Sequence, residues 1–269
     1  MQVALIQFKE AGKKYYFSYK DTDIKQGDAV VVETTRGLEI GHVYAFRDVE
    51  KSEVTGALKP IIRVAEADDI EADTYNQSLE SGIVDKTKTL AKKNGLEIKV
   101  LGAEYTLDRK RLVIYFESET RVDFRTLVRD LSEVYHTRIE LRQIGPRDAA
   151  KMIGGIGPCG LLLCCNTFIG EFETVSIKMA KNQNISLNPQ KISGVCGKLL
   201  CCIRYEEALY TEFKRLMPDL NEIVLTERGH AKIIDVNILM LKARVRYPDD
   251  GVMEWLALTD MTREDKGAE

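Results

Sequence analysis

A chain of 269 residues, 44% hydrophobic and 30% charged, holds enough apolar material for one large core or several small ones. This is the composition of an ordinary soluble protein, and no apolar run approaches the ~20 residues of a membrane-spanning helix. The net charge of −3 conceals an uneven distribution: between Ala149 and Arg204, Lys151, Lys178, Lys181, Lys191, Lys198 and Arg204 face only Glu171 and Glu173.

The opening "MQVALIQFKE" has neither a basic leader nor a small-residue cleavage site, so it reads as a first strand, and the cytoplasm is the expected location. Residues 1–65 continue with "KYYFSY", "DAVVVETT", "LEIGHVYAF" and "KPIIRVA", short β-branched and aromatic runs separated by turns. They predict a small SH3-like β module whose role is structural. The spacing of Ile70, Tyr75, Leu79, Ile83, Leu90 and Ala91 predicts one helix over 66–94. Its acidic first half and lysine-rich end suit the helix dipole, "NG" at 94–95 stops it, and Gly82 weakens it.

"LEIKVLGAEYTL" and "KRLVIYFES" read as two strands joined by a turn near Asp108. "VDFRTLVRDLSEVY" follows as a helix whose apolar face is Phe124, Leu127, Val128 and Leu131, and "RIELRQI" is a strand. Arg121, Arg125 and Arg129 share a face of that helix, diluted by Asp123, Asp130 and Glu133, which reads as a solvated surface. "RYEEALYTEFKRLM" predicts a helix beginning inside a cysteine phrase. "NEIVLTE", "HAKIIDVNILMLKARVRYP" and "VMEWLALTDM" then return to strands. The fold class is therefore α+β: small SH3-like β modules flank a central α+β unit and a cysteine-bearing helical and loop segment. The expected divisions are 1–65, 66–148, 149–217 and 218–269.

All six cysteines lie in two matched phrases, "GPCGLLLCC" (157–165) and "GVCGKLLCC" (194–202). A core role for six cysteines in one repeated frame is the weaker reading, because reduced thiols clustered this way point to metal or redox chemistry. Four residues separate Cys159 from Cys164 and Cys196 from Cys201, at the edge of zinc-knuckle spacing. Neighbours on a helix diverge by about 100°, so Cys164 and Cys165, like Cys201 and Cys202, face different centres or divide into ligand and packing roles. Each phrase supplies three thiols, one short of a cubane cluster, so a missing ligand comes from the other phrase, a second chain or a partner. The local cations offset the charge of such a cluster. "GGIGPCG" lacks the lysine and hydroxyl of a phosphate-binding loop, and His42, His136 and His230 are scattered.

"VDFRTLVRDLSEVYHTRIELRQIGPRDAAKMIGGIGPCG", followed by "SIKMAKNQNISLNPQKISGVCGKLLCC", strongly resembles the RicT (YaaT) family of bacterial cytoplasmic regulators, most specifically over about 97–205. The resemblance implies a non-enzymatic adaptor. It would join two small helical proteins of RicA and RicF type in a complex carrying [4Fe–4S] clusters, and that complex would work with the membrane-bound RNase Y in messenger RNA processing. An indirect contact with RNA is a further expectation. Sporulation, biofilm formation and competence are the implied outputs. It assigns cluster ligation to Cys159, Cys164, Cys165, Cys196, Cys201 and Cys202, and leaves open how ligands divide between this chain and its partners. Two rival readings stand beside it: a zinc-stabilised module touching RNA through the basic segment, and a thiol redox enzyme.

Overall fold

The computed structural model describes residues 1–263 except 21–22, 51–56 and 121. The chain is α+β and divides into two compact units, one comprising Met1–Phe172 with Gly194–Lys198, the other Glu173–Ser193 with Leu199–Glu269.

The first unit opens with β1 (Gln2–Gln7), β2 (Lys14–Phe17), β3 (Ala29–Glu33), β4 (Leu38–Asp48) and β5 (Ile61–Val64), which form a five-stranded sheet in the order β2-β1-β4-β3-β5. Every pairing with β1 and β3 is antiparallel. Alternation along these strands turns Ala4, Ile6, Val30, Val32 and Val43 inward to one core. Gly41 is required in β4, because a Cβ there would lie 2.3 Å from Ile6 Cγ2.

The helical stretch that follows is two helices, not one: α1 (Ala67–Ser78) and α2 (Glu80–Lys93), divided at Leu79. Only α2 is amphipathic in fact, burying Ile83, Thr87, Leu90 and Ala91, while Ile70 and Tyr75 on α1 are 50% and 55% exposed. The apolar spacing crosses the break without sharing one buried face. Asn94 caps α2 and Gly95 turns away at φ +66°.

β6 (Lys99–Tyr105) and β7 (Arg111–Glu117) then form an antiparallel pair, and α3 (Arg125–Tyr135) crosses over to β8 (Arg138–Gln143), which joins β7 in parallel. Leu127 and Leu131 of α3 are fully buried, whereas Phe124 precedes the helix and is exposed. Arg125 and Arg129 are exposed, and Arg121 lies outside the described residues. This layer is fastened to the first sheet: Leu107 donates its amide to the Leu38 carbonyl at 2.9 Å, and Arg111 Nη1 donates to the Thr35 carbonyl at 3.1 Å. The unit continues through α4 (Pro146–Ile153) and α5 (Cys164–Thr167).

The second unit contains α6 (Ile177–Asn182), α7 (Pro189–Ile192) and α8 (Cys201–Leu216), then β9 (Ile223–Thr226), β10 (Gly229–Asn237), β11 (Lys242–Arg246), β12 (Met253–Ala257) and β13 (Met261–Arg263). The five strands form one sheet in the order β12-β11-β10-β9-β13 around Val224, Ala231, Ile233, Ala243 and Val245. The long run from His230 to Pro248 is two strands, because Leu241 adopts positive φ and Met240 N–H donates to Asn237 Oδ1 at 3.0 Å, turning the chain.

Candidate functional site: two thiol knuckles

The two cysteine phrases adopt the same backbone, position for position. In the first, Ile156 and Leu162 bridge antiparallel; in the second, Ser193 and Leu199 do so. Gly157 N–H donates to the Leu161 carbonyl at 2.8 Å, and Gly194 N–H to that of Lys198 at 2.8 Å. Gly160 N–H closes a turn on Gly157 at 3.0 Å, and Gly197 N–H closes its counterpart on Gly194 at 2.9 Å. Leu163 N–H reaches Gly155 at 3.1 Å, and Leu200 N–H reaches Ile192 at 2.9 Å.

Each small hairpin carries its first cysteine, Cys159 or Cys196, at the third position of the turn. The next residue, Gly160 or Gly197, has φ +82° or +74°, a backbone that L side chains rarely adopt. Leu163 and Leu200 then cap a helix with the same extended dihedrals, and the cysteine doublet forms its first two positions. The three thiols of each phrase are thus given distinct stations: one on the turn, one at helix position one, one at helix position two.

Their surroundings differ. In the first knuckle Cys159 is exposed, Cys164 is half-buried and Cys165 is 6% exposed. α5 ends after one turn, and Asn166 Nδ2 ties it to the Lys151 carbonyl on α4 at 2.9 Å. Lys151 Nζ in turn donates to the Ala11 carbonyl at 2.6 Å and lies 3.4 Å from that of Gly170. Burial pushes this ammonium below its ordinary value, against the pull of Asp148 and Cys165. Gly170 allows this anchorage, since a Cβ there would meet the Gly12 carbonyl oxygen at 2.6 Å.

In the second knuckle Cys196, Cys201 and Cys202 are all half-buried, and the helix runs on for 16 residues. α8 is held to α6 by a polar seam. Gln183 Nε2 donates to the Ile203 carbonyl at 2.6 Å and to Glu207 Oε2 at 3.0 Å. Asn182 Nδ2 donates to Glu207 Oε1 and Thr211 Oγ1, both at 3.1 Å, and Lys214 Nζ donates to Asn182 Oδ1 at 3.2 Å. Arg204 pairs with Glu173.

The donor set suits a soft metal or an iron–sulfur core in kind, being sulfur throughout. It is divided in placement. Cys159, Cys164, Cys165 and Cys196 belong to the first unit, Cys201 and Cys202 to the second. Among the described residues no group of three or more His, Cys, Asp or Glu side chains is placed to hold one metal ion. Each knuckle therefore offers thiols in a repeated local frame without closing a coordination shell.

This α+β chain carries two PSP1-type regions. Residues 59–144, β5 through β8, match the PSP1 C-terminal conserved region, and residues 174–217, including the second knuckle, match the third domain of PSP1-like proteins. The first knuckle lies between the two matched stretches. The chain belongs to the YaaT family: it is 48% identical over 235 residues to stage 0 sporulation protein YaaT of Bacillus subtilis, covering 87% of this chain and 86% of that one. An uncharacterized protein of Schizosaccharomyces pombe is 32% identical over 169 residues, half of this chain and 22% of its own. Protein PSP1 of Saccharomyces cerevisiae is 50% identical over 46 residues, 17% of this chain and 6% of its own. No solved structure matches. No helix of the described residues is long and apolar enough to cross a membrane.

Proposed function

We propose that this chain is a non-enzymatic cytoplasmic adaptor. It contributes thiolates of Cys159, Cys164, Cys165, Cys196, Cys201 and Cys202 to [4Fe–4S] chemistry, assembles with two small helical partners of RicA and RicF type, and directs RNase Y in messenger RNA processing. Its outputs are sporulation, biofilm formation and competence, in keeping with the name of its Bacillus subtilis relative, a stage 0 sporulation protein. The observation that carries the reading is the repetition of one backbone frame around two sets of three thiols. A frame kept twice, down to the glycine of positive φ, serves the position of the sulfurs rather than a fold the sheets already secure.

A bound cluster would supply an iron- or oxidant-sensitive link, and its ligation free energy would be coupled to ordering of both knuckles. In this reading the donors that each knuckle lacks come from the other knuckle, a second chain or a partner. The test is iron and acid-labile sulfide analysis of the chain purified without oxygen, alone and with the two partners, together with absorbance at about 400 nm. Substoichiometric, oxygen-labile iron that rises when partners are added supports the reading. Zinc without sulfide, or an air-stable cluster filled in the chain alone, overturns it.

A further inference from the structure

We propose that the outer face of β10, β11 and β12 is a contact surface for single-stranded nucleic acid. The inference does not rest on the cysteines. Along β11 the alternation is strict: Ala243 and Val245 are fully buried, and Lys242, Arg244 and Arg246 point outward. Register aligns two cross-strand rows on that face. Lys232 of β10 stands opposite Arg246, which stands opposite Met253 of β12; Asp235 stands opposite Arg244, which stands opposite Trp255.

Three features of these rows are costly for a sheet that only needs to be soluble. Lys232 and Arg246 are like charges directly opposed, which destabilises a strand pair. Among the described residues none of Lys232, Lys242, Arg244 and Arg246 forms an ion pair, and Asp235 is the one carboxylate in the two rows. Trp255, the single tryptophan of the chain, is 47% exposed, with no ring or cation stacked on it among the described residues. Unpaired cations beside an unstacked indole are the two components that bind single strands: cations track phosphates, and an aromatic ring takes a base whatever its identity. An acidic polypeptide would satisfy the cations and leave the indole without a partner, so the observations favour nucleic acid.

The lone tryptophan makes the site its own reporter. Titrating the full chain with a 12-nucleotide oligouridylate should quench its fluorescence, with log affinity falling against log salt at a slope of about −3 if four phosphates are met, since each contributes about −0.7. Oligothymidylate should bind comparably, and a 12-base-pair duplex at least about tenfold more weakly, because its bases are not free to stack. Arg244→Gln with Arg246→Gln should reduce the slope by about 1.4. Trp255→Ala, followed by polarisation of a labelled oligonucleotide, should lose at least about fivefold in affinity while Trp255→Phe retains it. All these side chains are exposed, so unchanged thermal unfolding verifies the fold. Absence of quenching, equal duplex binding, equal competition by polyglutamate, or variants that bind as the parent does would each overturn the proposal.

Discussion

Arg36 Nη1 stands 3.0 Å from Glu104 Oε2, joining the loop between β3 and β4 to strand β6. The pair sits in a closed circuit: Arg36 Nη1 also donates to Tyr115 Oη at 2.6 Å, Tyr115 Oη donates to Glu104 at 2.8 Å, and Lys9, in the turn after β1, pairs with Glu104. Burial pushes the Glu104 carboxyl up, but Lys9, Tyr115 and Arg36 outweigh it and hold it below the ordinary carboxylate range. Removing the acid leaves the largely covered Arg36 guanidinium with Glu39 and Tyr115 alone, and Lys9 without its carboxylate. Glu104→Ala should therefore cost about 2 kcal/mol in urea unfolding, and more than the double replacement of Arg36 and Glu104 by Met and Leu. A loss under about 0.5 kcal/mol would show that the circuit is ornamental to stability.

Glu80, at the start of α2, behaves in the opposite sense. Burial, then the neighbouring Glu104, raise its carboxyl to about 7, with Lys9 opposing and Asp73 adding to the rise. Between the ordinary carboxylate value and 7 the folded chain binds more protons than the unfolded one, so this group's contribution weakens as pH rises through that window. Glu104 works the other way: its contribution is present above the ordinary carboxylate value and lost as pH falls through its depressed one. Glu80→Gln should remove the decline between pH about 4.5 and 7 and raise stability at pH 7.5 by about 1 kcal/mol, after allowance for its half-exposure. Parallel stability curves for variant and parent across that window would contradict this.

Within the first doublet, serine replacement should separate two roles. Cys165 is buried and Cys164 half-buried. Cys165→Ser should lower the unfolding temperature by about 2–4 °C, the shift produced by about 1 kcal/mol in a chain of this size. Cys164→Ser should leave that temperature in place and deplete iron in the anaerobically purified complex. In the second doublet both thiols are half-buried, so Cys201→Ser and Cys202→Ser should differ less. Calorimetry and iron analysis on the four variants decide the matter; equal thermal losses at Cys164 and Cys165 would remove the distinction.

Gly160 and Gly197 have open space where a Cβ would stand, so only their positive φ demands glycine. Valine should cost about 1 kcal/mol locally through backbone strain and impair iron retention, while leaving the β-sheets intact. Asparagine, which tolerates positive φ, should retain most of the iron. If valine variants keep full iron content, the turn geometry is not what positions the thiols.

Much of this architecture is legible from short-range pattern. Continuous β-branched and aromatic runs mark β3 and β7, strict alternation marks β11, and Leu127 and Leu131 mark the buried side of α3. "NG" at 94–95 ends α2 where turn chemistry says it should. What the pattern does not carry is tertiary choice. Ile70 and Tyr75 share a helical spacing with Ile83 and Leu90, yet the break at Leu79 leaves them in solvent. Phe124 fits the α3 face by spacing but precedes the helix and stacks edge-on with Phe116 at 6.2 Å. The repeat of the cysteine frame is visible in the letters, and its turn glycines with it. The different burial of Cys165 and Cys202 is not, because it depends on α4 and α6, which differ in sequence. The cation rows beside Trp255 were equally present as alternate letters in "KARVR", and only strand register reveals which residues oppose one another.

The two knuckles share hydrogen bonds but not the residue that enters the turn: Pro158 in the first, Val195 in the second. Proline has its φ set before the chain folds, and the second position of a turn is where that constraint is welcome. Valine must surrender that freedom on ordering, a difference of about 0.4–1 kcal/mol that resides in the unfolded ensemble rather than in any contact. The first hairpin is thus the pre-set member of the pair and the second the entropic spender.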